Sequence, residues 1–564
     1  MNVKKKFQIL AGVIALIGML AILFVCIRKY MPSSQRMGSE EYFGQLGETE
    51  AAVVVEDHIA QEHAQIYDGN VYIDYTLVQN ELNSRFYWDA SVGLLLFTTP
   101  TQVFEIAPNT SAYTIDGESF DAGYDILHTT SAGMYLSMTF LQQYSDLNCQ
   151  VYETPKRVVI TYGSEEVTTA RIKKDTVVRY QGGIKSPIVT DVTEDSEVTV
   201  LEQMDSWSKV LTADGYIGYV KNKQLADVTQ TTRETVYAGP EYTSIHLDEK
   251  VNLVWHQIDY QEMNSQFAED TADVTGVNVI SPTWYFLADS AGEITSFADT
   301  DYVKAAHKKN MQVWALISNF SADVDSTTLL ASRAARQKVQ NYLIGQAQEI
   351  GFDGINIDFE GIAQEAGCDY VQFIRELSIL CRKNGIILSV DVPVPMDFSK
   401  YYNREELGNV CDYVIMMGYD EHYAGSDIVG SVASMDFEEN GIQNMLTEVS
   451  KDKLISAIPF YTRLWYTETL ADGTTNVTSE AYSMDNIEAL LTEKGVTAAY
   501  DESTGQQYAE WTDSDGKFCQ VWLEDENSIA ARAALISKYE LSGIAEWVLG
   551  REQSWVWDVI SQNI

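Results

Sequence analysis

The chain has 564 residues, 45% hydrophobic and 11% aromatic, a composition typical of folded protein at a length that exceeds one ordinary hydrophobic core. Several domains are therefore expected. Acidic residues outnumber basic ones by 82 to 38, and the net charge of −44 disfavours nucleic acid and anionic membrane surfaces as partners, while it leaves a neutral sugar open as substrate.

The first predicted element is a transmembrane helix over residues 7–27. This run carries no charged residue and is long enough to cross a bilayer as a helix. The short basic segment 1–6 before it is expected to stay in the cytoplasm, which would make the chain a single-pass cell-membrane protein with its remaining domains outside the cell. No small-x-small cleavage site follows the run, so an uncleaved anchor is favoured over the alternative, a cleaved signal peptide.

Residues 28–58 carry Ser, Gly, Glu and Gln without strong periodicity and predict a linker. An internal duplication follows, in which VYIDYTLVQ (71–79) aligns without a gap on MYLSMTFLQ (134–142). Each copy runs on to an apolar strand, at 94–98 and 157–161, and such units bury one face by packing on each other. The pattern over 59–163 resembles the α+β amino-terminal domain of copper amine oxidases. Because no His cluster accompanies it, copper binding is not implied, and a spacing or adhesive role is expected.

A small all-β barrel is predicted over residues 168–228. Short alternating strands occur at 177–180, 197–201, 207–211 and 216–220, with the hairpin cue Asp214-Gly215 before the last of them. The segment GYIGYV (215–220) resembles the closing hairpin of bacterial Src-homology-3-like domains, which are often found on cell-wall enzymes. The resemblance leaves two roles open, binding of wall peptides and passive spacing.

The six cysteines are scattered and form no C-x-x-C pair, so no metal-ligand spacing is present and neither a metal nor another cofactor is expected. Most of them resemble small buried apolar residues. They are Cys26, Cys149, Cys368, Cys381, Cys411 and Cys519.

Residues 245–564 predict a closed (β/α)8 barrel, because eight apolar strands alternate with helical stretches such as 325–350 and 369–383. Residues at the carboxyl ends of the strands form the active site of such barrels, which singles out Glu360, Tyr419, Asp420 and Trp547. The segment 466–528 is too long for a plain connection and predicts an α+β insertion that walls a groove. The strand candidates are 251–258, 277–287, 312–320, 354–360, 386–393, 413–419, 454–461 and 543–549.

The fourth strand candidate, in the stretch FDGINIDFE (352–360), carries the strongest chemical signal. Side chains alternate between the faces of a strand, so Asn356, Asp358 and Glu360 share one face and three apolar residues share the other. Burying such a polar row is costly unless its members bond one another or a ligand. A carboxyl group beside a second carboxylate gains proton affinity, which suits a general acid working near neutral pH.

Together these motifs resemble glycoside hydrolase family 18, which includes chitinases. The run from Asp353 to Glu360 resembles the family signature D-x-x-D-x-D-x-E, and MMGYDEH (416–422) resembles its M-x-Y-D at strand six. The continuation Gly425-Ser426 and the late segments VWLED (521–525) and GIAEW (543–547) resemble the branch of bacterial envelope and spore-cortex-lytic proteins.

The resemblance implies a mechanism in which the substrate's own 2-acetamido carbonyl attacks the anomeric carbon. Glu360 would protonate the leaving oxygen, Asp358 would orient the acetamido N–H, and Tyr419 would hold the acetamido oxygen. Trp547 would form the floor beneath the sugar. The predicted substrate-binding residues are Asp353, Asn356, Met417, Asp420 and Trp547, although the position of Asp353 off the row favours a bond to backbone at the lower rim, and His422 is expected in a loop or supporting role.

One departure from the signature concerns Asn356, which replaces the middle aspartate. An amide is expected to bond Asp358, but it cannot share a proton with it. We therefore predict a membrane-anchored, retaining hydrolase that cleaves β-1,4 bonds after N-acetylglucosamine in peptidoglycan. The alternatives are a chitinase acting on chitin oligomers, a glycan-binding protein without turnover, and a wall-tethered scaffold in which the amino-terminal modules matter most. The retained Glu360 argues against the non-catalytic binder.

Overall fold

The computed structural model describes residues 3–470 and 473–564, so the first two residues of the predicted cytoplasmic tail lie outside the described residues. The chain divides into two compact units. One contains the chain up to Phe86 together with Glu105–Pro240, and the other contains Tyr87–Phe104 together with Glu241–Ile564.

An apolar helix, Val3–Tyr30, begins the first unit. In the described part of the chain it is the one helix long and apolar enough to cross a membrane. Part of the predicted linker that follows is held in place, because residues 33–37 lie alongside residues 184–188, at the start of the edge strand Ile188–Val192. Their backbone exchanges hydrogen bonds there, from Ser33 N–H to the Ile184 carbonyl (2.7 Å) and from Met37 N–H to the Ile188 carbonyl (2.9 Å). A short helix, Ser39–Phe43, comes next.

The duplicated segment lies in a seven-stranded sheet. The two aligned copies meet directly, since Ile73 pairs with Leu136 in neighbouring antiparallel strands and each strand passes into a short helix. The resemblance of this region to copper amine oxidases stays a prediction. In spatial order the strands are Leu147–Glu153, Lys156–Tyr162, Glu50–Val55, His58–Tyr67, Asn70–Asp74, Gly133–Ser137 and Leu127–Thr130, and the short helices are Tyr75–Leu77, Val78–Leu82 and Met138–Leu141.

A second seven-stranded antiparallel sheet occupies residues 166–232 and buries its own apolar cluster. The hairpin predicted at Asp214-Gly215 is present, with Gly215 at φ +82°, a conformation that glycine adopts without strain. In spatial order the strands are Ile188–Val192, Thr176–Arg179, Ile217–Lys221, Trp207–Thr212, Glu197–Gln203, Glu166–Ile172 and Leu225–Thr232. The 3-10 turn Asn222–Gln224 and the hairpin Ala112–Ile115/Glu118–Asp121 complete the unit.

The second unit contains the predicted (β/α)8 barrel, whose eight strands are all parallel. The predicted second strand is interrupted after Pro282. Its continuation Tyr285–Leu287 still pairs in parallel with Gln312–Ser318, and on its other side it pairs with Ile294–Ser296. We number the ring strands 1 to 8; they are Val251–His256, Val279–Pro282, Gln312–Ser318, Gly354–Asp358, Ile387–Pro393, Tyr413–Met417, Leu454–Pro459 and Gly543–Trp547.

Helices surround the ring and pack on its outward-facing apolar side chains. The predicted helix 325–350 is two helices, because Ser332 leaves the helical conformation and caps the second through a hydrogen bond from Ala335 N–H. The α-helices are Phe267–Asp270, Thr300–Lys308, Ser326–Ala331, Arg333–Ile350, Gly367–Asn384, Arg404–Val410, Met435–Met445, Glu526–Lys538 and Val556–Asn563, with 3-10 turns at Gln261–Gln266, Gln364–Ala366 and Asp397–Tyr402.

Residues 87–104 belong to the same compact unit as the barrel, although they lie within the range predicted for the amino-terminal domain. Asp89 forms a 2.6 Å ion pair with Arg336 of helix Arg333–Ile350, and neither side chain is exposed. Tyr87 donates a 2.6 Å hydrogen bond from its hydroxyl to Asp369 of helix Gly367–Asn384. The strands in this part of the chain are Phe86–Asp89, Leu94–Thr98 and Val103–Ile106.

The predicted insertion between strands 7 and 8 is an antiparallel sheet with one helix. Its apolar cluster is separate from that of the barrel. The strands, in spatial order, are Thr475–Ser483, Tyr461–Thr469, Phe518–Leu523, Gln506–Thr512 and Ala499–Asp501, and the helix is Met484–Lys494.

Candidate active site

Strand 4 divides its side chains as the alternation predicts. Ile355 and Ile357 pack outward in the cluster beneath the helices, while Asn356 and Asp358 face the barrel interior and are buried. Glu360 follows the end of the strand and is exposed to solvent. The polar row therefore begins in the barrel core and ends at its mouth.

The side chain of Asn356 is fully hydrogen-bonded within the interior. Its carbonyl oxygen accepts from the Trp255 indole N–H (2.9 Å), and its amide group donates to the Ser389 hydroxyl (3.0 Å) and to Asp391 Oδ1 (2.8 Å). The indole can only donate, so this orientation of the amide is fixed. The expected bond from Asn356 to Asp358 is therefore absent, because both amide hydrogens are directed to strand 5.

Asp358 has no protein partner for its buried oxygen Oδ1. Burial raises the pKa of Asp358 well above the usual range for aspartate, and the nearby carboxyl groups of Asp391 and Glu360 raise it further. Burial also raises the pKa of Asp391, and the hydrogen bond from Asn356 only partly opposes this effect. The interior thus holds two carboxyl groups that cannot both carry a charge at low cost.

The backbone of Glu360 is held by Asn319, at the end of strand 3. Glu360 N–H donates to the Asn319 side-chain oxygen (2.9 Å), and the Asn319 amide donates to the Glu360 carbonyl (2.8 Å). The Tyr402 hydroxyl donates to the neighbouring Phe359 carbonyl (3.2 Å). Crowding by protein atoms raises the pKa of the Glu360 carboxyl group, and the Asp420 carboxylate adds to the shift. A carboxyl group of this kind is suited to donate a proton near neutral pH.

Strand 6 brings Met417, Tyr419 and Asp420 to the same mouth. Met417 is the last residue of the strand and lies in register with Pro393 and Ala457. Tyr419 packs against the interior cluster, and its pKa is raised well above the usual value by burial and by Tyr461, Asp358, Asp391 and Glu360. Asp420 accepts a 2.5 Å hydrogen bond from the Tyr461 hydroxyl.

Trp547 ends strand 8 and packs edge-on against Trp255 of strand 1, with ring centroids 5.7 Å apart. It is only partly buried, so one part of the indole is available at the mouth. An aromatic surface at this position can support the apolar face of a sugar ring.

Asp353 is not brought into this group. It precedes strand 4, at the amino end of the barrel, and its Oδ2 accepts from Val313 N–H (2.8 Å) and lies 2.8 Å from His307 Nε2. The expected bond to backbone is present. The assignment of Asp353 to the substrate-binding residues stays a prediction, which its position at the amino end of the barrel does not support. His422 lies in the loop after strand 6, where its Nδ1 is 2.8 Å from the Ser431 carbonyl oxygen.

Sequence reasoning missed Asp391, Ser389, Asn319 and Tyr461. Asp391 and Ser389 alternate with apolar residues in strand 5, so the same period-two argument applied to residues 386–393 would have found them. Asn319 and Tyr461 lie at the carboxyl ends of the third and seventh strand candidates, so the strand-end argument would have found them. Their hydrogen-bond partners could not be predicted, because those residues are remote in sequence. Among the described residues, no group of three or more His, Cys, Asp or Glu side chains is arranged to hold a metal ion.

Comparison with known sequences decides the family. The profile of glycosyl hydrolases family 18 matches residues 216–552, more than half of the chain. The chain belongs to glycoside hydrolase family 18. It is therefore a glycosidase, and its barrel carries the polar row at the mouth described above. The bacterial SH3 domain profile matches residues 175–226, which confirms the prediction for the small all-β barrel.

Two curated relatives come from Bacillus subtilis strain 168. The uncharacterized glycosylase YvbX is 28% identical over 301 residues, which is 51% of this chain and 85% of the relative. The cortical fragment-lytic enzyme is 24% identical over 283 residues, 48% of this chain and 65% of the relative. The solved structure of the Bacillus cereus spore cortex-lytic enzyme SleL has the same fold, with a TM-score of 0.50 at 18% identity over 60% of this chain and 79% of the other.

Proposed function

We propose that this glycosidase cleaves β-1,4 bonds after N-acetylglucosamine in cell-wall glycan, with retention and with the substrate's acetamido group as nucleophile. The observation that carries the proposal is that the buried oxygen Oδ1 of Asp358 has no protein partner, while the exposed Glu360 lies two residues further along the chain. An unpaired buried acceptor is costly, and an acetamido N–H entering the mouth would supply the missing donor.

Three residues act on the substrate in this mechanism. Glu360 protonates the leaving glycosidic oxygen, and Asp358 accepts the acetamido N–H and stabilises the positive charge that develops on the attacking group. Tyr419 donates from its hydroxyl to the acetamido oxygen, which restrains that oxygen for attack. Water then opens the cyclic intermediate from the face that the leaving group has left, with Glu360 as base. The anomeric configuration is therefore retained.

Met417, Asp420 and Trp547 complete the sugar site in the proposal. Trp547 supports the sugar ring before the cleaved bond, and Met417 lines the interior beside it. Asp420 keeps Glu360 protonated through its negative charge, as the pKa shift of Glu360 indicates. Asn356 acts indirectly, through the hydrogen bonds that it gives to strand 5.

We propose peptidoglycan as the glycan, and the extracellular face of the cell membrane as the place of action. Three observations support this choice: the relationship to a cortical fragment-lytic enzyme, the bacterial SH3 domain and the amino-terminal apolar helix. We also propose the domain order predicted from the sequence, with a cytoplasmic tail at 1–6, the anchor at 7–27, the linker at 28–58 and modules at 59–163, 168–228 and 245–564.

The test is digestion of purified sacculi by the full chain, with mass spectrometry of the products. New reducing ends at N-acetylglucosamine are expected from wild-type protein, and none from Glu360→Gln, which should still bind glycan. Glu365→Gln, in the turn after the site, serves as the matched control and should leave turnover unchanged. Equal hydrolysis by Glu360→Gln and wild type would contradict the role of Glu360.

A second experiment tests the nucleophile. De-N-acetylated glycan lacks the attacking carbonyl and should resist cleavage, whereas equal rates on both polymers would rule out substrate assistance. Cleavage of chitin oligomers without release from sacculi would favour the chitinase alternative. Binding without new reducing ends would favour the glycan-binding alternative.

A further inference from the structure

Strand 5 contributes a second buried carboxyl group to the site. Leu388, Val390 and Val392 face outward into the cluster beneath the helices, so Ser389 and Asp391 face the barrel interior. Asp391 is 2% exposed and Asp358 is 5% exposed. Two carboxyl groups therefore share a compartment that water hardly enters.

The strand register places these two residues side by side. Strands 4 and 5 are parallel, and Ile357 pairs with Val390, so Asp358 and Asp391 are the next residues across the same pair of strands. Neighbouring strands are about 4.8 Å apart, and both side chains point to the interior, which brings the carboxyl groups within reach of each other.

Asn356 fixes the orientation of Asp391 without neutralising it. It donates one amide hydrogen to Asp391 Oδ1 at 2.8 Å and the other to Ser389 at 3.0 Å. The signature carries an aspartate where this chain carries Asn356, and an amide has no carboxyl proton to share. The acidic partner that the signature supplies from strand 4 is thus replaced here by a carboxyl group on strand 5, that of Asp391.

We propose that Asp391, on strand 5, shares a proton with Asp358. It would thus do what the signature aspartate does at the position that Asn356 occupies here. The proposal rests on the proposed function. The pair holds one proton and one negative charge. When glycan binds, the proton resides on Asp391, and Asp358 is the anion that accepts the acetamido N–H; no proton leaves the pair. Asp391 touches no reacting atom and is a positioning residue.

The surroundings of the pair favour a shared proton. Burial is the main cause of the raised pKa of both groups. Repulsion from Glu360 raises both pKa values further, and repulsion from Asp391 adds to the shift of Asp358. The other titratable groups that act on the pair or respond to it are the phenols of Tyr370, Tyr402 and Tyr419. No basic side chain is among the groups that shift either pKa in the described part of the chain, so a proton is what remains to balance the second charge.

The decisive experiment measures the proton itself, by infrared difference spectroscopy of the full chain with isotope-labelled aspartate across a pH series. Wild type should release the two protons of the pair in separate steps, and Asp391→Asn should show one step, below the upper wild-type step. This readout needs no turnover, so it tests the pair even if the glycan assignment fails. A single wild-type step, or identical titrations of wild type and Asp391→Asn, would overturn the proposal.

Kinetics supply the second measurement. Asp391→Asn should lower kcat at least about tenfold and change the pH profile of kcat. The reason is that correct protonation of the acid and base groups in a catalytic site contributes a rate factor of that size or more. The double variant Asn356→Asp/Asp391→Asn restores one carboxyl partner on strand 4 and should recover most of the loss. If Asp391→Asn alone fails to fold, the double variant still tests the proposal. A double variant that melts like wild type but has no more activity than Asp391→Asn would contradict the proposal.

Discussion

Substitution of Asp89 by asparagine should destabilise the barrel. Asp89 Oδ2 lies 2.6 Å from the Arg336 guanidinium, and both side chains are 0% exposed. Asp89 Oδ1 also accepts from the Ser91 amide (3.1 Å) and hydroxyl (2.6 Å), so asparagine can keep part of the local geometry while it removes the charge. The guanidinium would then lie in the interior without its shortest ionic partner.

The expected loss is about 3 kcal/mol. Removal of one partner of a buried ion pair costs roughly 3–5 kcal/mol, because the remaining charge is left in the interior. The lower end applies here, since Glu376 remains 3.4 Å from Arg336 and the Leu330 carbonyl still accepts at 2.7 Å. For a unit of this size, a loss of 3 kcal/mol corresponds to a fall of about 4 °C in Tm.

The assay is urea and thermal unfolding followed by tryptophan fluorescence, since Trp255, Trp284 and Trp314 are buried in the barrel. The matched control is Asp301→Asn, which removes an ion pair with Lys304 whose side chains are 89% and 63% exposed and should leave Tm unchanged. A chain beginning at residue 241 should be destabilised as well. Unaltered unfolding of Asp89→Asn would refute the argument that residues 87–104 help to hold the barrel helices.

Further predictions concern the mouth of the barrel. Tyr419→Phe should lower kcat about a hundredfold or more with little change in folding, because one hydrogen bond to the reacting group is lost, and steady-state kinetics check it. Asn319→Ala should lower kcat more than it raises KM, since it frees the backbone of Glu360 rather than a sugar contact; an unchanged kcat would contradict this. Asp420→Asn removes a negative charge that raises the pKa of Glu360, so that pKa should fall. The acid form of Glu360 is then lost at lower pH, and the alkaline limb of the kcat profile should move to lower pH, whereas a shift to higher pH would be inconsistent with this reasoning.

The barrel and the polar row were predictable from local patterns, because eight apolar strands alternate with helices and the inward positions of strand 4 are polar. Asp391 could not be assigned a role in the same way. Its meaning depends on the pairing of strands 4 and 5, and a contact between residues remote in sequence leaves no mark in either strand. Asp353 was predicted among the substrate-binding residues because it belongs to the motif, but membership of a motif does not indicate which end of the strand a residue occupies.

Residues 28–58 were predicted as a linker for a related reason, although they contain the strand Glu50–Val55. Residues 33–37 join a sheet edge through backbone hydrogen bonds, which any sequence can make, so composition gives no warning of the pairing.

This edge pairing limits the distance between the apolar helix and the small barrel. Between the helix Val3–Tyr30 and the first backbone bond of Ser33 to the small barrel, only Met31 and Pro32 intervene, so the Cα atoms of Tyr30 and Ser33 are at most about 11 Å apart. If this helix crossed a bilayer, the short connection would hold that barrel close to the lipid headgroups. Lengthening the sequence between Tyr30 and Ser33 is therefore the direct way to change the distance between this helix and the small barrel.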